Sequence, residues 1–157
     1  MPRFTIVMEE TVATPMGIGL IGLGRHGMRY AKHLLEPMPG ARLVAVCRRD
    51  AALGRAFAAE HSLGFYQDYR DLIADPAVQA VIVVTPPSLT KPICLEAVRA
   101  GKPLLIEKPL ATNGPEAHAM VRAAESAGVP LMTAQTLRFD PAVAALKAEL
   151  ALVEPRR

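Results

Sequence analysis

Tryptophan is absent from this chain, tyrosine and phenylalanine are few, and cysteine occurs only twice, at Cys47 and Cys94. Two thiols so far apart, each in apolar surroundings, imply no disulfide framework and suit a reducing cytoplasm. His26, His33, His61 and His118 show no ligand spacing with one another or with the cysteines, so no metal site is expected. No apolar run approaches the length of a membrane span. The leading MPRFTIVMEETVATP carries an apolar run too short for a secretory signal, closed at once by Glu9 and Glu10. Neither sign of charge is massed. The net charge of +3 is mild, and the scattered lysines and arginines argue against a nucleic-acid partner. Internal repeats and low-complexity segments are missing as well.

What the chain does have is apolar material, 51% of 157 residues, enough for one domain with a full core. From Met16 onward short runs rich in Val, Ile and Leu recur at GIGLIG, RLVAVC, AVIVVT, PLLIE and VPLMT, with a weaker GFYQ after the second helical segment. Their apolar positions are nearly continuous, as expected for strands covered on both faces. Segments of helical spacing lie between them. In the first, Met28, Ala31, Leu34 and Leu35 share a face; the next starts behind Asp50 as N-cap and runs to about His61. SLTKPICLEAVRAG offers Ser88 or Thr90 as cap, Pro92 in the first turn and Gly101 as terminator. NGPEAHAMVRAAESAG offers Asn113 with Glu116 three residues on, and closes at Gly128. A final helix is expected from about Pro141 to Leu150, and Met120 and Met132 read as core. Strands and helices alternating in this way require right-handed crossovers and a doubly wound parallel α/β sheet of Rossmann type. The expected division is an N-terminal arm over 1–16, a nucleotide-binding domain over 17–139, and the beginning of a C-terminal region over 140–157. Phe4 to Val7 reads either as an added edge strand or as a loose arm.

The first strand runs into IGLGRHGMRYAKHL, where Gly22, Gly24 and Gly27 satisfy G-x-G-x-x-G between a strand and a helix. Gly22 makes the tight turn, Gly24 admits a pyrophosphate to the backbone, and Gly27 lets helix and strand pack closely. Backbone N–H groups from Arg25 through His26 to Gly27 then point at the anion, helped by the helix dipole. About twenty residues past such a loop, the end of the second strand normally carries an acid for the adenosine ribose. This chain has Cys47, then Arg48 and Arg49. A guanidinium can grip a 2′-phosphate through paired hydrogen bonds and stack on adenine, so NADP is favoured over NAD. Two alternatives stay open: both arginines are solvated surface charges, or Asp50 reaches back to the ribose of NAD.

A second cluster follows the fourth and fifth strands. Thr85, Pro86 and Pro87 open VTPPSLT, and Glu107, Lys108 and Pro109 lie in IEKPLAT, both at carboxyl ends of parallel strands where such sheets bind ligands. Lys108 can donate a hydrogen bond to a substrate oxygen or move a proton. An exposed loop Glu–Lys pair with no further role is the plainer alternative.

These residues resemble the glucose–fructose oxidoreductase, inositol dehydrogenase and MocA group, Gfo/Idh/MocA. The resemblance runs from Gly17 to Pro141 and rests on GLIGLGRHG, LVAVCRRD, DYRDLIADPAVQAVIVVTPPSLT, AGKPLLIEKPLAT and LRFDPA. It implies a nicotinamide-dependent oxidoreductase acting on sugars, inositols or related polyols, with its coenzyme in this domain and Lys108 as the active-site lysine. It also implies that Thr85 and Pro86 lie beside the nicotinamide and the adenosine ribose. Tyr30, Thr90 and Thr136 stand where the family often has histidine, histidine and asparagine, which bears on the substrate. Arg48 in place of the frequent acid resembles the NADP-using members. A second α/β domain, expected to supply most substrate contacts and the homo-oligomer interface, would follow; without it the chain is expected to bind coenzyme yet catalyse weakly or not at all. The alternatives are a non-catalytic NADP(H)-binding sensor or partner module, or a decayed reading frame without function.

Overall fold

The computed structural model describes residues 14–152. Most of the expected N-terminal arm, including Phe4 to Val7, lies outside them. Six strands form one sheet: β1 (Met16–Ile21), β2 (Ala41–Cys47), β3 (Gly64–Tyr66), β4 (Ala80–Val83), β5 (Leu104–Ile106) and β6 (Leu131–Thr133). All are parallel, in the order β3-β2-β1-β4-β5-β6. The order reverses between β1 and β4, and at such a switch point the two loops leaving the strands diverge and open a crevice.

Side chains alternate across the sheet into two cores. On one face Ile18, Leu20, Leu43, Val46 and Ile82 pack with Ala31 and Leu34 of α1 (Gly27–Leu35) and Ala58 of α2 (Ala51–Glu60). On the other, Ile21, Ala45, Val81, Val83, Leu104 and Ile106 pack against three helices. These are α3 (Tyr69–Ala74), α4 (Pro87–Arg99) and α5 (Gly114–Ala127). Each fully buried Leu, Ile or Val contributes about 1.5–3 kcal/mol of transfer free energy, so burial on both faces explains why the strand sequences are continuously apolar. Helix α1 turns a narrower face inward than its spacing predicts. Met28 and Leu35 are 40% and 38% exposed, because Tyr30 fills the space against the sheet beside Ala31 and Leu34.

Several helix ends follow the local signals. The Asp50 carboxylate accepts the Leu53 N–H at 3.0 Å, and the Asn113 side-chain carbonyl accepts that of Glu116 at 2.9 Å. Gly128 ends α5 in the left-handed conformation, and Gly101 takes a positive φ just past α4. The start of α4 differs from expectation. It begins at Pro87, with Pro86 as the capping residue and no side-chain cap, so Thr90 is buried within it and Pro92 lies inside rather than in the first turn. Pro87 has no N–H to satisfy and its φ is already helical, so the helix starts there, ahead of both hydroxyl side chains.

After β6 a short 3₁₀ turn (Thr136–Phe139) leads to α6 (Pro141–Leu152), and residues 135–150 are exposed. Met120 is fully buried, as expected, but Met132 is 43% exposed, on β6 at the edge of the sheet. Met120→Ala should therefore cost about 2–5 kcal/mol in a urea-denaturation series. Met132→Ala should stay within about 0.5 kcal/mol of the parent.

Candidate nucleotide-binding site

Backbone hydrogen bonds carry the sheet one residue past its strand ends. Gly22 donates to the Cys47 carbonyl, Val84 to that of Ile21, and Glu107 to that of Val83, at 3.0, 2.8 and 2.9 Å. The glycine loop, the Thr85–Pro86 loop and the Glu107–Lys108 loop thus leave the sheet at one level. A cleft of about 1170 Å³ opens there. Its walls are Gly22 to Gly24, Cys47 to Asp50, residues 67–71, Val84 to Pro86, and Leu89 and Ile93 of α4.

The three glycines have different tasks in this geometry. Gly22 takes φ +100°, and a β-carbon on it would collide with the Val84 carbonyl. A β-carbon on Gly27 would strike the carbonyl oxygen of Gly22, so only glycine lets α1 begin this close to β1. At Gly24 nothing lies within 4 Å, so the open backbone there faces free space. Beside it the Arg48 guanidinium donates to the Leu23 carbonyl at 2.6 Å, tying the end of β2 to the loop. Arg49 lines the same wall, with its carbonyl accepting from the Gln67 side chain at 2.9 Å. Across the cleft, the Thr85 hydroxyl oxygen is buried with no hydrogen-bond partner among the described residues. A backbone cradle open at Gly24, the Arg48 guanidinium beside it and an unpartnered hydroxyl across the cleft fit a phosphate- and hydroxyl-rich ligand such as a dinucleotide.

Of the residues singled out in the sequence, Gly22, Gly24, Arg48, Arg49, Thr85 and Pro86 line the cleft. Arg25, His26, Gly27, Pro87, Glu107 and Lys108 do not, and most of these lie along the start of α1 and the exit of β5. There the Glu107 carboxylate accepts from Tyr30 Oη at 2.7 Å and stands 2.8 Å from His26 Nε2. Burial of Glu107 acts to raise its pKa and is the largest single influence. The hydrogen bonds from Tyr30, His26 and the Lys108 N–H together outweigh it and leave the carboxyl below the usual 4.5. Burial first, then the bond to Glu107, pushes the Tyr30 phenol well above its ordinary 10. Lys108 is exposed, forms no ion pair among the described residues, and precedes a cis peptide bond to Pro109.

Residues 67–71 were not anticipated as part of the site. Asp68, Tyr69 and Arg70 form a wall in which the Arg70 guanidinium covers the Tyr69 ring at 4.7 Å and pairs with Asp68 at 3.3 Å. Their signal was available, since they too follow the carboxyl end of a parallel strand. Cys47 lies at the floor of the cleft. Its thiol is pushed up to about 11, chiefly by burial and then by Asp68 and Asp71, and Cys94 to about 11 by burial alone, so neither is a nucleophile near neutrality. No cluster of metal-ligating side chains occurs among the described residues. Nor is any described helix long and apolar enough to cross a membrane.

The chain matches a family model described as "Oxidoreductase family, NAD-binding Rossmann fold" over residues 16–135. It is 37% identical over 131 residues to scyllo-inositol 2-dehydrogenase (NAD(+)) of Bacillus subtilis, covering 82% of this chain and 38% of that protein. It is 38% identical over 118 residues to trans-1,2-dihydrobenzene-1,2-diol dehydrogenase of Sus scrofa, covering 74% and 35%. Among solved structures, a probable dehydrogenase from Thermotoga maritima superposes with a TM-score of 0.81 at 30% identity, over 87% of this chain and 41% of that one. A variant of KijD10, a 3-ketoreductase from Actinomadura kijaniata in complex with TDP-benzene and NADP, gives 0.80 at 28% identity, over 88% and 44%. This chain thus spans about two fifths of the length of such relatives.

The loop geometry makes a prediction separate from any ligand. Gly27→Ala should destabilise the fold by about 1–3 kcal/mol through overpacking, whereas Gly24→Ala should leave the midpoint of thermal unfolding within about 2 °C of the parent. Differential scanning calorimetry of the two variants reads both. With the glycine loop, the parallel sheet and the matched residues agreeing, the chain belongs to the Gfo/Idh/MocA oxidoreductase family, as its NAD-binding Rossmann-fold domain.

Proposed function

We propose that this domain binds a nicotinamide dinucleotide for an oxidoreductase that moves a hydride to or from a carbinol carbon of an inositol, sugar or related polyol. The observation that carries the reading is that the glycine loop and the Thr85–Pro86 loop border one cleft at the sheet edge from which the Glu107–Lys108 loop also departs. A bound coenzyme would supply the hydride donor or acceptor. Gly22, Gly24 and the amides of Arg25, His26 and Gly27 would hold its diphosphate. Thr85 and Pro86, with Pro87 starting α4 behind them, would border the ribose and nicotinamide. Lys108 would hold or move the proton at the substrate oxygen, and Glu107 would fix the backbone from which it projects. Relatives named as inositol and dihydrodiol dehydrogenases support the polyol class.

NADP is the preferred coenzyme in this reading, with NAD as the alternative. Arg48 spends one N–H on the Leu23 carbonyl, which leaves four of its five donors beside the ribose position. Asp50 is engaged in capping α2, which disfavours its reaching back to NAD. Relatives point both ways, one named for NAD(+) and one bound to NADP. Exposed Leu137, Phe139, Leu146 and Leu150 favour homo-oligomerisation, and two buried thiols favour a cytoplasmic setting.

One observation supports a second reading. The chain covers about two fifths of its relatives, and placing a substrate carbon against the nicotinamide needs a surface opposite this cleft. A coenzyme-binding sensor or partner module without chemistry would need none. Supplying a polypeptide that carries a relative's remaining domain distinguishes the two, since only an enzyme half gains polyol-dependent NADP reduction. Calorimetric titration tests the coenzyme assignment itself. NADP should bind more tightly than NAD, and Arg48→Ala should remove about tenfold or more of that preference. Unchanged selectivity would move the phosphate contact to Arg49 or Arg70.

A further inference from the structure

Tyr30 and His26 stand one helical turn apart at the start of α1, and both reach across to the same carboxylate oxygen, Glu107 Oε1. An ionised carboxylate has no proton to give, so both contacts must be donations to it, and the His26 proton must sit on Nε2. The second oxygen, Oε2, accepts the backbone N–H of Lys108 at 2.9 Å. Glu107 is also held through its own backbone, which donates to Val83. Its side chain is only 10% exposed, so these bonds are little diluted by water, whereas the His26 ring is 49% exposed. Tyr30 is therefore the stronger of the two fastenings, and its contact edge-on with the His26 ring holds the pair together at a centroid distance of 5.9 Å.

We infer that Tyr30 and His26 are positioning residues for Lys108: by clamping the Glu107 carboxylate from α1 they fix the loop from which the lysine projects. The inference rests on the oxidoreductase reading above for the task that Lys108 performs. The same clamp ties the helix that starts at the phosphate loop to the strand that carries the lysine, so the two ends of a bound coenzyme would meet a site of fixed spacing. Removing the Tyr30 hydroxyl leaves Glu107 Oε1 underpaired, and the carboxylate is then free to turn toward water and release the Lys108 amide.

Two variants test this on the chain as it stands. Tyr30→Phe deletes one donor with little change of shape. His26→Ala removes the weaker one without loss of a helix cap, since the His26 side chain makes no cap hydrogen bond. In Tyr30→Phe, amide hydrogen exchange at Lys108 should accelerate about tenfold, with a smaller acceleration in His26→Ala. The amides of Gly22 and Val84 should not change. NADPH should also lose affinity in Tyr30→Phe, while 2′-phospho-ADP-ribose, which lacks the nicotinamide, should bind as it does to the parent. An unchanged Lys108 amide, or equal acceleration at Gly22, Val84 and Lys108, overturns the inference, the latter because it reports general loosening. Equal loss of affinity for both nucleotides overturns it too. If the Lys108 amide responds but the parent binds neither nucleotide, the oxidoreductase reading falls and takes with it the task assigned to the positioned lysine.

Discussion

Three backbone hydrogen bonds just beyond the strand ends, from Gly22, Val84 and Glu107, set the level at which three loops depart from the sheet. They exist because the strands are parallel and consecutive in space, with β2, β1, β4 and β5 as successive neighbours. In a parallel sheet every carboxyl end lies on the same edge, so residues widely separated in sequence converge there without any contact of their own to bring them together. The two apolar cores hold this arrangement by covering both faces of the central strands.

On that frame the glycine loop is fastened from two sides. Arg48 reaches in from β2 to the Leu23 carbonyl, while His26 and Tyr30 tie the helix behind the loop to Glu107. One fastening uses a cation on a carbonyl and leaves donors over; the other brings three donors to one carboxylate, while the neighbouring Lys108 forms no ion pair among the described residues. At Gly22, Gly24 and Gly27 the loop contributes no side-chain volume. Its preorganisation comes from neighbours that grip its flanks, which is how an open backbone cradle can be held without a ligand.

What was legible in the sequence was what local chemistry decides. Strand identity followed from apolar runs, the loop from glycine spacing next to a strand, and the caps at Asp50 and Asn113 from side chains that bond two or three residues away. A strand-end rule singles out Arg48, Arg49, Thr85 and Pro86, and all four line the cleft. Expectations went astray where the deciding neighbour is remote or missing. Met132 has the composition of core but lies on an edge strand, and Met28 and Leu35 yield the inner face of α1 to Tyr30. Tyr30 itself drew notice only as a departure from the family pattern. Its bond to a carboxylate 77 residues away leaves no periodic trace. The start of α4 was misplaced for a local reason: a proline at the first helical position outranked the hydroxyl side chains downstream.

The proposed function requires the glycine loop to receive a diphosphate at the sheet edge. Amide proton–nitrogen spectra recorded during titration with NADP test this residue by residue. The largest shifts should fall on Gly24, Arg25, His26 and Gly27, followed by Arg48 and Thr85 at the cleft walls, and all should saturate together. Shifts confined to the opposite edge of the sheet or to α6, or spectra unchanged at millimolar coenzyme, would contradict it.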